Sequence, residues 1–440
     1  MGVAASRRIP VYGVIAAGGV SMLGNAVAAV ALPWFVLDLT GSAAWTGVAG
    51  AVGMTPLILG AFFGGAVIDR LGSRRVAVTG DLVSAACVGA IPVLQALGML
   101  TLVPLLILIA VGALLDGPAV TAQESRYPEL ARLAGLRLER VTALDELIDN
   151  GAMIAGPILA GIAIATVGPA PTLVITAGCA LIAAILNFIF LPRHRPSLRA
   201  ADGARPNDVL TGVRFLFGDP LLRTLLILGM GVVAIFGALD AVVMPVFIRE
   251  SGRDIAELGW FLAAAGGGAA TGALGYASAG HRIGKRFVLL GCLAAEAVAM
   301  FLLAGQAGGE TLLIAGALAG LGAGPLGPLV NTVLLRRTPT AIRGRVLGAS
   351  TAVALTATPL AVLLAGGVIE VLGTRTLLLS GAGLFAGLAC LAAVLPSLRQ
   401  LDREPGRDHV DPGQPITPPA APANSEAPAN LPPKSVGSPS

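Results

Sequence analysis

The chain has 440 residues, of which 55% are hydrophobic and only 12% charged, with a formal net charge of +4 and a mean hydropathy of +0.84. A soluble domain carries about a quarter charged residues, so this composition excludes an ordinary water-soluble domain. The four cysteines stand alone at Cys87, Cys179, Cys292 and Cys390, with no C-x-x-C, which excludes a disulfide framework and a cysteine-built metal site.

In chain order, twelve apolar runs follow one another at 11–36, 43–67, 75–97, 102–121, 142–167, 171–191, 221–247, 256–279, 287–306, 311–334, 345–371 and 376–396. Each is about the 20 residues needed to cross a hydrocarbon core about 30 Å thick. They are apolar all round, where barrel strands would alternate over about ten residues, so they predict helices. The first run is helix-length and reads as a span, not as a cleaved leader. Residues 122–140 predict a surface helix on the inner leaflet. Residues 192–220 read as a basic linker. Residues 401–440 hold ten of the 30 prolines and no aromatic residue, so they read as a disordered tail. The expected organisation is an all-α integral membrane protein. It has a six-helix bundle over 1–191, a linker over 192–220, a second six-helix bundle over 221–400 and the tail.

Orientation follows from the basic residues. With the N-terminus in the cytoplasm, 26 of the 29 Lys and Arg fall on cytoplasmic segments. Only Arg249, Arg253 and Arg375 fall outside. This is the asymmetry of the positive-inside rule, and it predicts a multi-pass cell-membrane protein with both termini cytoplasmic.

The second and third runs are joined by "GGAVIDRLGSRR", 64–75, which concentrates Asp69, Arg70, Arg74 and Arg75 in seven residues. Topogenic anchoring accounts for the arginines but not for Gly64, Gly65, Asp69 and Gly72. Shifting the sequence by 212 residues lays Gly47, Gly60, Arg70, Gly72 and Arg74 on Gly259, Gly272, Arg282, Gly284 and Arg286, while His281 stands in the place of Asp69. Two six-helix halves in parallel orientation are implied. The loop resembles the G-x-x-x-D-R-x-G-R-R signature of the major facilitator superfamily, with Ser73 replacing one basic residue. "IAGPILAG" (154–161) resembles part of the helix-5 motif of drug–proton antiporters through Gly156, Pro157 and Gly161. "ALPWFVLDLTGSAAWTG", "ESRYPELARLAGLRLERVTALDE" and "TPTAIRGRVLG" resemble the macrolide-efflux and siderophore-exporter branch.

That resemblance implies secondary active transport by alternating access, with proton-coupled efflux of a small amphipathic drug or secondary metabolite. It implies a cytoplasmic latch in which Asp69 faces the start of the eleventh helix, near 343–346. It also implies a cavity lined by helices 1, 4, 7 and 10. Ionisable groups inside spans are costly and usually functional. Asp116 and Asp240 lie on runs four and seven and are the leading candidates for a proton or a cationic substrate. Glu296 on run nine reads as buried structure. Asn25 and Asn331 fit either substrate contact or helix packing, as do Asn150 and Asn187. Asp145 and Asp149 sit four apart near the start of run five, where acidic residues stabilise a helix N-terminus.

The three histidines, His194, His281 and His409, fall in loops or tail, and "GHRIGKR" is one residue short of a phosphate-binding loop. No enzyme, metal or other cofactor is therefore expected. The expected partners are a small-molecule substrate, protons and the lipid bilayer, with no nucleic acid and a monomeric chain. A proton-coupled importer, a facilitator and a non-transporting sensor on the same fold remain alternatives.

Overall fold

The structure, a computed structural model, describes residues 2–192, 206–280, 282–305, 308–339, 342–396, 398 and 401. Within these ranges the side chains of residues 2–7, 57–66, 69, 206–211, 344 and 345 are not described. The expectations for Gly64, Gly65, Asp69, His281 and the tail beyond residue 401 therefore lie outside the described residues.

The first half contains α1 (Gly2–Thr40), α2 (Ala43–Leu71), α3 (Ser73–Ala96), α4 (Leu102–Leu114), α5 (Asp116–Glu124), α6 (Tyr127–Ala134), α7 (Leu138–Val167) and α8 (Pro169–Phe190). Helix α9 (Pro206–Gly218) lies within the segment expected as linker. The second half contains α10 (Pro220–Ala238), a π-helical turn (Leu239–Val243), α11 (Met244–Glu250), α12 (Ile255–Ala279), α13 (Lys285–Ala304), α14 (Gly309–Ala323), α15 (Leu326–Arg337), α16 (Arg343–Thr356), α17 (Thr358–Leu372) and α18 (Thr374–Val394). No strand occurs among the described residues. Ten stretches are long and apolar enough to cross a membrane, and α2 and α12, of 29 and 25 residues, complete the twelve-helix architecture.

Four of the twelve spans are broken, each beside a proline. Proline lacks the backbone N–H and its ring clashes with the carbonyl four residues earlier. Pro118 acts on Leu114, the last residue of α4, and Pro359 on Leu355 near the end of α16. Pro245 acts on Ala241 inside the π-helical turn, and Pro328 on Gly324, the C-cap of α14. Breaks inside a membrane are tolerated where they are buried in protein or line a cavity.

The surface helix expected at 122–140 takes a different form. Helix α5 runs on to Glu124, and α6 forms a separate two-turn helix ended by Gly135 in the left-handed region at φ 63°. The apolar face of α6 (Tyr127, Leu130, Ala131, Ala134) is buried against Val11, Val14 and Ile15 of α1 and Val76 and Ala77 of α3. Its covering partner is protein, which supplies the hydrophobic burial that a free amphipathic helix would seek from lipid.

Alternation of the spans puts the turns at Gly41, Gly98, Gly168, Gly252 and Gly373 at one end of the bundle, the Gly41 end. It puts the turns at Gly72 and Gly135 at the other, the Gly72 end. Gly72 closes α2 at φ 84°, a conformation that favours glycine, and donates its N–H to the Ile68 carbonyl at 2.8 Å.

The halves meet along α2 with α17 and along α7 with α12. Both seams are glycine on glycine. A Cβ on Gly47 would stand 3.2 Å from the Gly366 Cα and 2.8 Å from the Val362 carbonyl oxygen. A Cβ on Gly161 would stand 3.2 Å from the Gly259 Cα, and one on Gly259 only 2.8 Å from the Pro157 carbonyl oxygen. Gly259 follows Gly47 by 212 residues, and Gly366 follows Gly161 by 205. The two seams are thus copies of each other under the internal repeat, and both lie towards the Gly41 end.

Candidate functional site

Within the first half, α1, α3, α5, α6 and α7 surround a cleft of about 60 Å³. Ser21, Met22 and Asn25 line it from α1, Asp81 from α3, Asp116, Gln123 and Glu124 from α5, Tyr127 from α6, and Asp145 and Asp149 from α7. No Lys, Arg or His is among the lining residues. The break at Leu115 places Asp116 in the first turn of α5, where the helix N-terminus favours a negative side chain. Gly18 admits the Gln123 amide to this site: a Cβ there would stand 2.5 Å from Nε2.

A chain of hydrogen bonds crosses the cleft wall. Asn187 Nδ2 donates to Asp81 Oδ2 at 2.9 Å and to Gln123 Oε1 at 3.4 Å. Gln123 Nε2 donates to the Val14 carbonyl at 2.9 Å and to the Tyr127 hydroxyl at 3.5 Å. Tyr127 in turn donates to Asp145 Oδ1 at 2.5 Å, and Ser21 Oγ to Asp81 Oδ1 at 3.5 Å. Asp81 is only 6% exposed and lies within electrostatic reach of Asp116. In a low-dielectric site a second negative charge beside a first is expensive, so the arrangement is suited to a counter-ion, whether a proton or an organic cation.

Of the candidates read from the sequence, Asn25 and Asp116 meet in this cleft. Asn331 lines a larger cavity in the second half, of about 280 Å³ between α10, α13, α15 and α16. That cavity is walled by Leu and Val side chains, with Asn331, Ser350 and Thr351 as its polar groups. Asp240 and Glu296 line neither cavity. Asp240 sits on the π-helical turn, within electrostatic reach of Glu296. Glu296 is 0% exposed, and neither carboxyl oxygen has a hydrogen-bond partner among the described residues. Asp145 and Asp149 prove to be cleft residues. Helix α7 begins at Leu138, so Asp145 lies two turns in, beyond the first turn where a helix terminus is felt.

The loop residues separate by role. Arg74 donates to the Phe188 carbonyl, and its guanidinium lies 4.5 Å from the Phe188 ring centroid. Its repeat partner Arg286 donates to the Ala393 carbonyl. Arg70 and Arg75 are exposed. Gly156 faces Ala26 of α1 so closely that a Cβ would collide with it, while Pro157 and Gly161 build the seam with Gly259. Asp81, Gln123 and Tyr127 escaped the sequence reading as site residues, while Asn187, read there as substrate contact or helix packing, joins Asp81 to Gln123. A lone acid in the run "VTGDLVSAAC" was the available signal for Asp81.

Outside the spans, Asp219 caps α10. Its Oδ1 accepts from the Leu221 and Leu222 amides at 2.8 and 3.2 Å, and its Oδ2 from Arg337 at 3.0 Å. Partial burial pushes the carboxyl up, but the Arg337 hydrogen bond, the two amides and the Arg337 charge together hold it below the usual carboxylate range.

Comparison with known proteins agrees with this architecture. The family model of the Major Facilitator Superfamily matches residues 14–243 and 240–432. The multidrug efflux pump Tap of Mycolicibacterium fortuitum is 32% identical over 402 residues, covering 90% of this chain and 98% of that protein. The Tap pump of Mycobacterium tuberculosis (strain ATCC 25618 / H37Rv) is 32% identical over 419 residues, covering 92% and 97%. Among solved structures, the nucleoside transporter NupG superposes with a TM-score of 0.74 at 13% identity, covering 87% of this chain and 98% of that one. An auto-inhibited POT family peptide transporter superposes at 0.68 and 12% identity, covering 89% and 97%. At these identities the two structures speak for the fold alone.

Proposed function

The chain belongs to the major facilitator superfamily, and on that premise we propose that it exports small amphipathic compounds, drugs or secondary metabolites, in exchange for protons. It is a multi-pass membrane transporter of the drug-efflux class, not an enzyme. Proton coupling, the direction of the termini and the roles of individual residues are our reading.

The observation that carries the reading is the acid-lined cleft of the first half. Asp81 and Asp116 share a desolvated site on helices packed around it, with no basic residue in its lining to neutralise them. Such a site exchanges one counter-ion for another: a proton when the substrate has left, the cationic group of a substrate when it arrives. The apolar cavity of the second half suits the hydrophobic body of the same compound, with Asn331, Ser350 and Thr351 orienting it. The basic-residue split supports placing the Gly72 end and both termini in the cytoplasm. One chain carries both halves and both seams, which supports a monomeric transport unit. Asp69 is proposed to latch the cytoplasmic side, in keeping with its loop signature.

The test is uptake of a panel of hydrophobic drugs into inside-out vesicles under an acid-inside gradient, with the native chain and Asp116→Asn. Gradient-driven accumulation lost in the variant is the expected result. Equal movement with and without a gradient in both would point to a facilitator. Accumulation only under the reversed gradient would point to an importer.

A further inference from the structure

At the Gly41 end, Glu370 in the last turn of α17 reaches across the seam to the start of α2 in the other half. Its Oε2 accepts from the Ser42 hydroxyl at 3.1 Å and from the Ala44 backbone N–H at 3.2 Å. Ser42 is the N-cap of α2, and its hydroxyl also accepts from the Trp45 N–H at 3.3 Å. The N-terminus of α2 is thus capped by two residues, and the only charged one belongs to the opposite half. Arg249, donating to the Leu37 carbonyl, adds a second polar contact between halves at the same end.

The internal repeat supplies the comparison. Adding 212 to Ser42 gives Asp254, the N-cap of α12, which accepts from the Ala256 N–H at 2.8 Å. Subtracting 205 from Glu370 gives Ala165 on α7. At the α7–α12 seam, then, the helix start carries its own carboxylate and the facing helix has none. At the α2–α17 seam the helix start is neutral, and its carboxylate comes from across the seam. Parting the first of these pairs leaves α12 fully capped. Parting the second strips the anion from the positive end of α2.

From this asymmetry we infer that Glu370 is a latch holding the Gly41 end closed, and that all of its holding falls on the α2–α17 seam. The glycine contacts fix how near the two helices come, and Glu370 supplies the polar contact between α2 and α17 that opening must break, beside the Arg249 bond to α1. This goes beyond the export reading, because the latch sets which side of the bundle is sealed whatever the substrate.

The experiment measures distances between spin labels in the full chain reconstituted in nanodiscs, with the four native cysteines replaced by alanine. Labels go on the exposed positions Trp45→Cys of α2 and Leu372→Cys of α17, with a second pair on Ile162→Cys of α7 and Trp260→Cys of α12. Glu370→Gln keeps the shape of the side chain and removes its charge. Ser42→Asp keeps Glu370, gives α2 its own carboxylate as α12 has in Asp254, and sets two acids against each other. Both are expected to raise the long-distance population of the first pair about two- to fivefold, the span that a charge at a helix terminus commands. Asp254→Ser is expected to leave the second pair at its native distribution. Distributions in Glu370→Gln and Ser42→Asp that superimpose on the native one would overturn the latch. So would an equal shift in Asp254→Ser, which would mean that any loss of helix capping loosens the end.

Discussion

Arg74 and Arg286, 212 residues apart, make the same bond in the two halves: each guanidinium donates to a carbonyl in the last turn of the final helix of its own half, Phe188 of α8 and Ala393 of α18. The acceptors are 205 residues apart, the same offset that relates Gly161 to Gly366. The repeat therefore has two registers, 212 early in each half and 205 late, and it extends from the glycine seams to individual hydrogen bonds.

Arg74→Ala and Arg286→Ala each remove a charge-assisted bond that ties the third helix of a half to the sixth. Such bonds contribute about 1.5–3 kcal/mol. Each variant is expected to lower the unfolding temperature in detergent. The double variant is expected to add the two effects to within about 0.5 kcal/mol, since the two acceptors lie on different helices in different halves. Thermal unfolding of the three variants checks this, and strong non-additivity would mean that the two ties communicate.

Gly366→Val and its neighbour Gly367→Val form a matched pair. A Cβ on Gly366 would meet the Ala43 carbonyl oxygen at 2.6 Å, while Gly367 has nothing within 4 Å. Overpacking costs about 1–3 kcal/mol, so Gly366→Val is expected to slow transport about tenfold or more. Gly367→Val is expected to transport at close to the native rate. Initial rates in vesicles decide it.

Asp81→Asn tests the residue that the sequence reading passed over. The amide keeps an acceptor for Ser21 but cannot be the carboxylate that Asn187 now serves. Gradient-driven uptake is expected to fall about tenfold or more, while stability changes by about 1 kcal/mol, the worth of one hydrogen bond. Unchanged coupling with lowered stability would assign Asp81 to packing alone.

Asp219 gives a pH dependence with a definite sign. Its carboxyl is held lower in the folded chain than when unfolded, so the unfolded chain takes up its proton first as the pH falls. The stabilisation is complete above the ordinary carboxylate range and is lost as the pH drops through the lowered value, below about pH 4. Asp219→Asn keeps the cap but removes the negative charge at the start of α10 and its pairing with Arg337, so it is expected to lower stability at neutral pH by about 0.5–1 kcal/mol and to flatten the acid limb of a stability–pH curve.

Spans, their number and the two-half organisation were legible because apolar length and repeat spacing are one-dimensional signals. Asp116 and Asn25 were legible as polar residues in apolar runs. The cleft they share was not, because it depends on which helix faces meet. Asp145 was misplaced for a simple reason: the apolar run opens at 142, while the helix opens at Leu138 on a charged turn that hydropathy does not see. Gly47 and Gly259 stood out as repeat partners. Their seam mates Gly366 and Gly161 did not, because the register between halves slips by seven residues before reaching them. Glu370, in the last turn of α17, carries no signal of its own in the sequence, because the helix start it caps lies more than 300 residues away in the other half.

Gly47 against Gly366 and Gly161 against Gly259 are contacts of main chain on main chain, with no side-chain torsion to order at either. Fixing a long side chain on burial costs about 1–2 kcal/mol of rotamer freedom, and glycine has none to lose. At these two contacts closing immobilises no side chain that was free while the helices were apart, and parting releases none. At these points the two halves can separate and rejoin as smooth surfaces do, with no torsion to reset on each return.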